Sequence, residues 1–136
     1  MPARTPIVIA LAALLASAGC NTLEPPSELS PGSWGGEHLL LVVEADSAQL
    51  EYDCATGVMY LPVSVNGDGT FTASGIHYLG HGGPVGQDGL EPHPARYEGR
   101  IRGSRMTLTV TMTDRATAVG TFELERGRTA HVFKCL

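Results

Sequence analysis

Between Arg96 and Met112 the chain alternates without a break. Tyr97, Gly99 and Ile101 alternate with Arg96, Glu98, Arg100 and Arg102, and after Gly103-Ser104 come Met106, Leu108, Val110 and Met112 against Arg105 and three threonines. A period of two puts one set on each face of a β-strand. A two-residue Gly-Ser turn of type II′ joins the halves and pairs Arg102 with Arg105, Ile101 with Met106, Gly99 with Leu108 and Tyr97 with Val110. Every apolar residue then meets an apolar residue, and a slip of one position would send them all into water.

The same pattern recurs from Trp34 onward, and no stretch shows helical spacing. Eight strands are expected: 38–44, 49–54, 58–65, 70–78, 96–102, 105–112, 118–125 and 129–135. Short turns join most of them, so the topology reads as a meander. The expected fold is all-β, an eight-stranded antiparallel up-and-down barrel, which removes both sheet edges; a two-sheet β-sandwich is the alternative.

The N-terminus reads differently. Arg4, an apolar run from Ile7 to Ala16, and Ser17-Ala18-Gly19-Cys20 follow the order of an export signal. A Cys after small residues is the pattern of a bacterial lipoprotein signal, which assigns Cys20 to lipidation. The rival is cleavage after Ala18, giving a soluble exported protein. The apolar run is too short to span a bilayer. The expected organisation is therefore a signal peptide at 1–19, the lipidated Cys and a Pro/Ser-rich tether at 20–33, and one barrel domain at 34–136. Asn21 after the Cys favours the outer membrane, facing the periplasm, by resemblance to enterobacterial sorting.

With Cys20 lipidated, Cys54 and Cys135 remain, and an exported pair oxidises. Strand count leaves one strand between them, so the tail should bend under the start of the first strand and clamp that end of the barrel.

The formal charge of −5 argues against nucleic acid and against anionic membrane faces as partners. His77, His81 and His93 lie at or within a Gly-rich loop at 79–95, but their spacing matches no closed zinc site, so no metal and no cofactor are expected. His38 and His131 read as strand residues with ordinary partners. No nucleophile elbow or phosphate-cradling loop is present, and an enzyme is not expected. Glu51 and Asp53 read as a solvated face, and Arg96, Arg100, Arg102 and Arg105, diluted by Glu98, read as surface first and as an anion contact second. The 79–95 loop is long enough to be a lid or a finger.

Gly32-Ser33-Trp34 before the first strand resembles the start of the calycin barrels, the group of lipocalins and avidins. The resemblance implies that Trp34 closes one end of the core and that an Arg from the last strands covers it. Arg126 and Arg128 are available, although the strand count places them at the opposite end. Leu50-Glu51-Tyr52-Asp53-Cys54 and Ala73-Ser74-Gly75-Ile76-His77-Tyr78 resemble the Tyr-x-Cys and Ser-Gly-x-x-Tyr segments of the membrane-bound inhibitors of C-type lysozyme. That resemblance implies that Ser74 and Tyr78 enter a lysozyme cleft; the Trp and Lys-Gly that follow in the family are absent here. The functional expectation is a non-catalytic envelope lipoprotein that binds a protein or a small apolar ligand, with Trp34, Ser74, Tyr78 and His81 as candidate contacts. An inhibitor of an exogenous lysozyme or protease and a structural envelope lipoprotein are the alternatives. A small-molecule binder requires room inside the barrel, where Gly75, Gly99 and Gly120 face bulky Phe71, Tyr97, Met106 and Phe122.

Overall fold

A computed structural model describes Gly19 and residues 27–80, 83–84, 86 and 89–135. Residues 1–18 of the expected signal peptide, Cys20, residues 21–26 of the expected tether and His81 lie outside the described residues. The barrel is closed and antiparallel, with eight strands in meander order: β1 Gly32–Gly36, β2 Leu39–Val43, β3 Ala48–Tyr52, β4 Ala55–Met59, β5 Thr70–Leu79, β6 Glu91–Arg102, β7 Arg105–Met112 and β8 Thr117–Arg126. No helix interrupts the described residues. Closure comes from β1 pairing with β8, Trp34 opposite Arg126 and Gly36 opposite Leu124.

The β6–β7 hairpin adopts the expected register, from Arg102 opposite Arg105 to Tyr97 opposite Val110. Gly103 has φ 60°, and Ser104 has no positive φ, as type II′ requires.

The number of strands matches the expectation, but their identities shift at both ends. β1 begins at Gly32, inside the stretch read as tether. Its five residues include three glycines, so it carries no alternation to detect. Ahead of it, Ser27 and Leu29 pair with Val65 and Val63 at 3.0 and 2.9 Å, and Leu29, Val63 and Val65 cap that end of the core. β4 runs from Ala55 to Met59; the expected 58–65 segment leaves the wall after Met59, and its apolar residues serve this cap.

The 129–135 segment is not a strand. It is a strap that leaves β8 at Arg126 and crosses the outside of β1. At Gly35 it passes so close that a Cβ would lie 2.0 Å from the Arg128 carbonyl oxygen. It then bonds at the β1–β2 turn through His131 N to Gly36 O (3.0 Å) and His38 N to His131 O (2.8 Å). It ends at the β3–β4 turn, where Cys135 joins Cys54 in a disulfide with a Cα–Cα distance of 4.9 Å. The pairing is as expected, but the route is not. The tail lies over the outer wall and does not bend beneath the first strand, because the strand count had assigned its residues to the barrel itself. Val132 is half-buried near Leu40 and Val42, while Phe133 is exposed.

Carboxylates hold the strap. Asp53 accepts the Phe133 amide at 2.7 Å and pairs with His38 at 2.5 Å. Glu37 meets His131 at 2.9 Å and Arg128 at 3.4 Å, and Glu51 contacts Lys134. Asp53 and Glu51 are therefore not a merely solvated face: the Phe133 amide, then His38, hold the Asp53 carboxyl below its ordinary range. His38 and His131 do have ordinary carboxylate partners, but they sit in the β1–β2 turn and the strap, outside the strands. A methyl group at position 35 would collide with strap backbone. Gly35→Ala is thus expected to cost about 1–3 kcal/mol and to make the two cysteines reducible in the folded protein, measured by urea unfolding and by thiol titration under mild reductant.

Candidate functional site

The barrel interior is packed. Cross-strand registers stack inward residues into layers: Phe71, Gly99, Leu108 and Phe122 in one, Ala73, Tyr97, Val110 and Gly120 in the next, Met59, Gly75, Ala95 and Met112 in a third. Each glycine lies under a ring. A Cβ at Gly99 would fall 2.2 Å from Phe71, at Gly75 2.9 Å from Tyr97, and at Gly120 3.1 Å from Phe122. The small residues therefore make room for aromatic rings, as expected of an eight-stranded barrel filled by its own side chains. Tyr97 is fully buried and donates its hydroxyl to Ile76 O at 2.9 Å; burial pushes its pKa up to about 12.

Trp34 is part of this packing. It is 2 % exposed, with the Arg126 guanidinium 5.5 Å from its ring centroid. Arg126 ends β8 directly opposite Trp34, not at the far end as the strand count had it, because the true last strand is 117–126. The pairing that the calycin resemblance implies is present, and it makes Trp34 a plug and not a contact surface.

A polar cluster occupies the opposite end. His77 and His93 are register partners on β5 and β6, both buried. His93 Nδ1 meets Asp114 at 2.7 Å, and Glu91 lies 3.2 Å from its Nε2 without hydrogen-bonding geometry. His77 packs edge-on against Tyr52, with ring centroids 4.9 Å apart, and the Tyr52 hydroxyl lies near that of Tyr97. Among the described residues, His77 Nδ1, His93 Nε2 and the Tyr52 hydroxyl have no hydrogen-bond partner. No group of three or more His, Cys, Asp or Glu among the described residues could hold a metal ion. Burial first, then His93, lowers the pKa of His77. The unfolded chain therefore binds more protons in this range than the folded one, and the stability that neutral His77 contributes is lost as pH falls below about 6.5. The unfolding midpoint is expected to drop between pH 7 and pH 5, and His77→Phe to flatten that dependence. Asp114, lowered chiefly by its bond to His93, acts only in the more acidic carboxylate range.

Of the candidate contacts from the sequence, Ser74 and Tyr78 lie on the outer wall, Trp34 lies in the core, and His81 falls outside the described residues. Ser74, Ile76 and Tyr78 project from one face of β5, with Tyr78 half-buried beside Pro92 in register. Next to them runs a groove of about 540 Å³ lined by Tyr60, Ser74, Ile76, Pro92, Pro94 and Arg96. Tyr60 is 53 % exposed. Sequence reading missed Tyr60 because it was placed within a strand, and missed Pro92 and Pro94 because they were placed in the loop. They belong to β6. The β6–β7 strand pairing begins only at Ala95, so Pro92 and Pro94 face no β7 residue that needs an amide donor, and the Pro94 carbonyl accepts the Thr113 amide at 2.9 Å just beyond the end of β7. The connection between β5 and β6 is correspondingly shorter than 79–95.

No protein-family model matches this chain, and no curated protein or solved structure matches it.

Proposed function

We propose that this protein is a lipid-anchored envelope protein, non-catalytic, whose barrel serves as a rigid support for recognition of another protein on its outer wall. The observation that carries this reading is the packed interior. With aromatic rings over the inward glycines, a small apolar ligand has no space inside, and the groove at Tyr60, Ile76, Pro92 and Pro94 offers the exposed apolar surface instead. The lipoprotein pattern ending at Cys20 supports placement in the envelope, at the outer membrane facing the periplasm. Mass spectrometry of the mature N-terminus tests the anchor: a diacylated Cys20 is expected. A photo-crosslinking residue at Tyr60 tests the groove. It is expected to give a discrete adduct in intact cells, whereas one at Thr121, on the β8 wall, gives none; equal labelling at both positions would remove the reading.

A second reading is inhibition of a lysozyme. It is favoured by Ser74 and Tyr78 sharing one outward face of β5 with Ile76 between them. Micromolar protein is then expected to slow C-type lysozyme, and Tyr78→Ala to relieve the effect by about tenfold or more, the loss of one anchoring aromatic. Unaltered lysis at that concentration eliminates it.

A further inference from the structure

The overall charge hides a local exception. At the end of the barrel where Ser27 joins it, Glu44 and Asp46 border or lie in the β2–β3 turn, and the β6–β7 hairpin is diametrically opposite in the closed strand order. That hairpin carries Arg100, Arg102 and Arg105, all outward and exposed. Arg102 stands directly across from Arg105, and Arg100 across from Thr107. Among the described residues none of the three has a carboxylate within 4.0 Å, whereas Arg96, Arg115 and Arg128 each do.

Three of the four neighbouring acids are engaged elsewhere. Glu98 pairs with Arg96 at 3.5 Å, and Glu123 accepts the Thr107 hydroxyl at 3.0 Å. Asp68 accepts the Thr70 amide and hydroxyl and feels Arg100 only as a more distant charge. Glu125 faces Arg105 in register without closing an ion pair. Like charges directly opposite each other destabilise an antiparallel pair, and the hairpin does not need them, since Ile101 and Met106 hold it from inside. The arginines line a groove of about 650 Å³ in which they outnumber the two carboxylates that share it, Glu98 and Glu123. The Thr70 and Thr107 hydroxyls already donate to Asp68 and Glu123 and Thr109 is paired with Thr121, so the guanidinium forks are the groups left to meet phosphate oxygens.

Position supplies the ligand's source. Ser27 O accepts Val65 N, the next residue Asn66 bonds to Thr70, and Gly69 O accepts Ile101 N at 2.9 Å, so one short run of contacts links the N-terminal segment to the hairpin. Cys20 precedes Ser27 by seven residues, a reach of at most about 25 Å when extended. An anchor at Cys20 keeps this end of the barrel close to the bilayer.

We propose that Arg100, Arg102 and Arg105 dock this end of the barrel onto anionic phospholipid headgroups. The membrane's position rests on the lipid-anchored reading; the binding does not. The test is therefore made with the chain carrying Cys20→Ser, co-sedimented with vesicles of phosphatidylcholine alone or mixed in equal parts with phosphatidylglycerol. Preferential binding to the anionic vesicles, weakened by salt, is expected. The triple variant R100A/R102A/R105A is expected to lower the anionic partition constant on the order of tenfold to a hundredfold with an unchanged circular dichroism spectrum. Equal partitioning into both compositions, or a triple variant that binds as the parent does, overturns the proposal. So does displacement by inorganic phosphate at matched ionic strength, which would mark a free-phosphate site. A mature N-terminus without acyl mass would end the anchor reading while leaving the vesicle result to stand by itself.

Discussion

Replacing Trp34 with alanine is expected to lower the unfolding free energy by about 3–5 kcal/mol, the range for deleting a fully buried aromatic ring. The size follows from position. Trp34 lies on the strand that closes the barrel, between Leu41 on β2 and Arg126 on β8. Its removal opens a cavity at that closure and takes away the surface over which Arg126 sits. Arg126 also donates to Pro31 O at 2.8 Å, so the segment leading into β1 loosens too. Urea unfolding followed by circular dichroism measures the effect. A loss below about 1 kcal/mol, the size of a surface change, would mean that Trp34 is not the plug. Arg126→Ala should cost far less, about 0.5–1 kcal/mol for an exposed cation over a ring.

Cys135→Ser is expected to cost a comparable amount, about 4 kcal/mol for an 81-residue loop by the chain-entropy model. The loop ties the β3–β4 turn to the far end of the chain, so it spans most of the barrel. The variant retains the Asp53–Phe133 bond and the Glu37–His131 contact, and its strap should stay docked near neutrality. Asp53 has a lowered pKa, so its hold is present above the ordinary carboxylate range and is lost as pH falls through its folded value. Acid should therefore release the strap in Cys135→Ser while the oxidised parent keeps it. Hydrogen exchange at the Phe133 amide reads this directly.

The β6–β7 hairpin was legible to the residue, because strict alternation and a Gly-Ser turn admit one register. β7 was legible to its last residue for the same reason. β1 was not, since Gly32, Gly35 and Gly36 carry no side chain to alternate. Their role is to let Arg126, the strap backbone and the β8 carbonyls approach, and these partners lie about ninety residues away. The first half of β6 was hidden by Pro92 and Pro94, which read as loop until the absence of a β7 partner beside them is known. Of the candidate contacts, Ser74 and Tyr78 could be placed on one face by counting in twos. Tyr60 could not, because its exposure depends on the chain leaving the wall just after Met59.

The order of polar and apolar residues along this chain determined that it forms antiparallel strands in succession, and the expectation that Cys20 carries a lipid left Cys54 and Cys135 as the pair to join, as they do. Both are local or combinatorial properties, open to counting. Only the tertiary structure decided that the ring closes through a glycine-rich first strand, that the C-terminal segment lies outside as a strap, and that the aromatic rings fill the space above the inward glycines. Those outcomes depend on volume and contact between residues remote in sequence, and no one-dimensional pattern encodes how two distant surfaces fit.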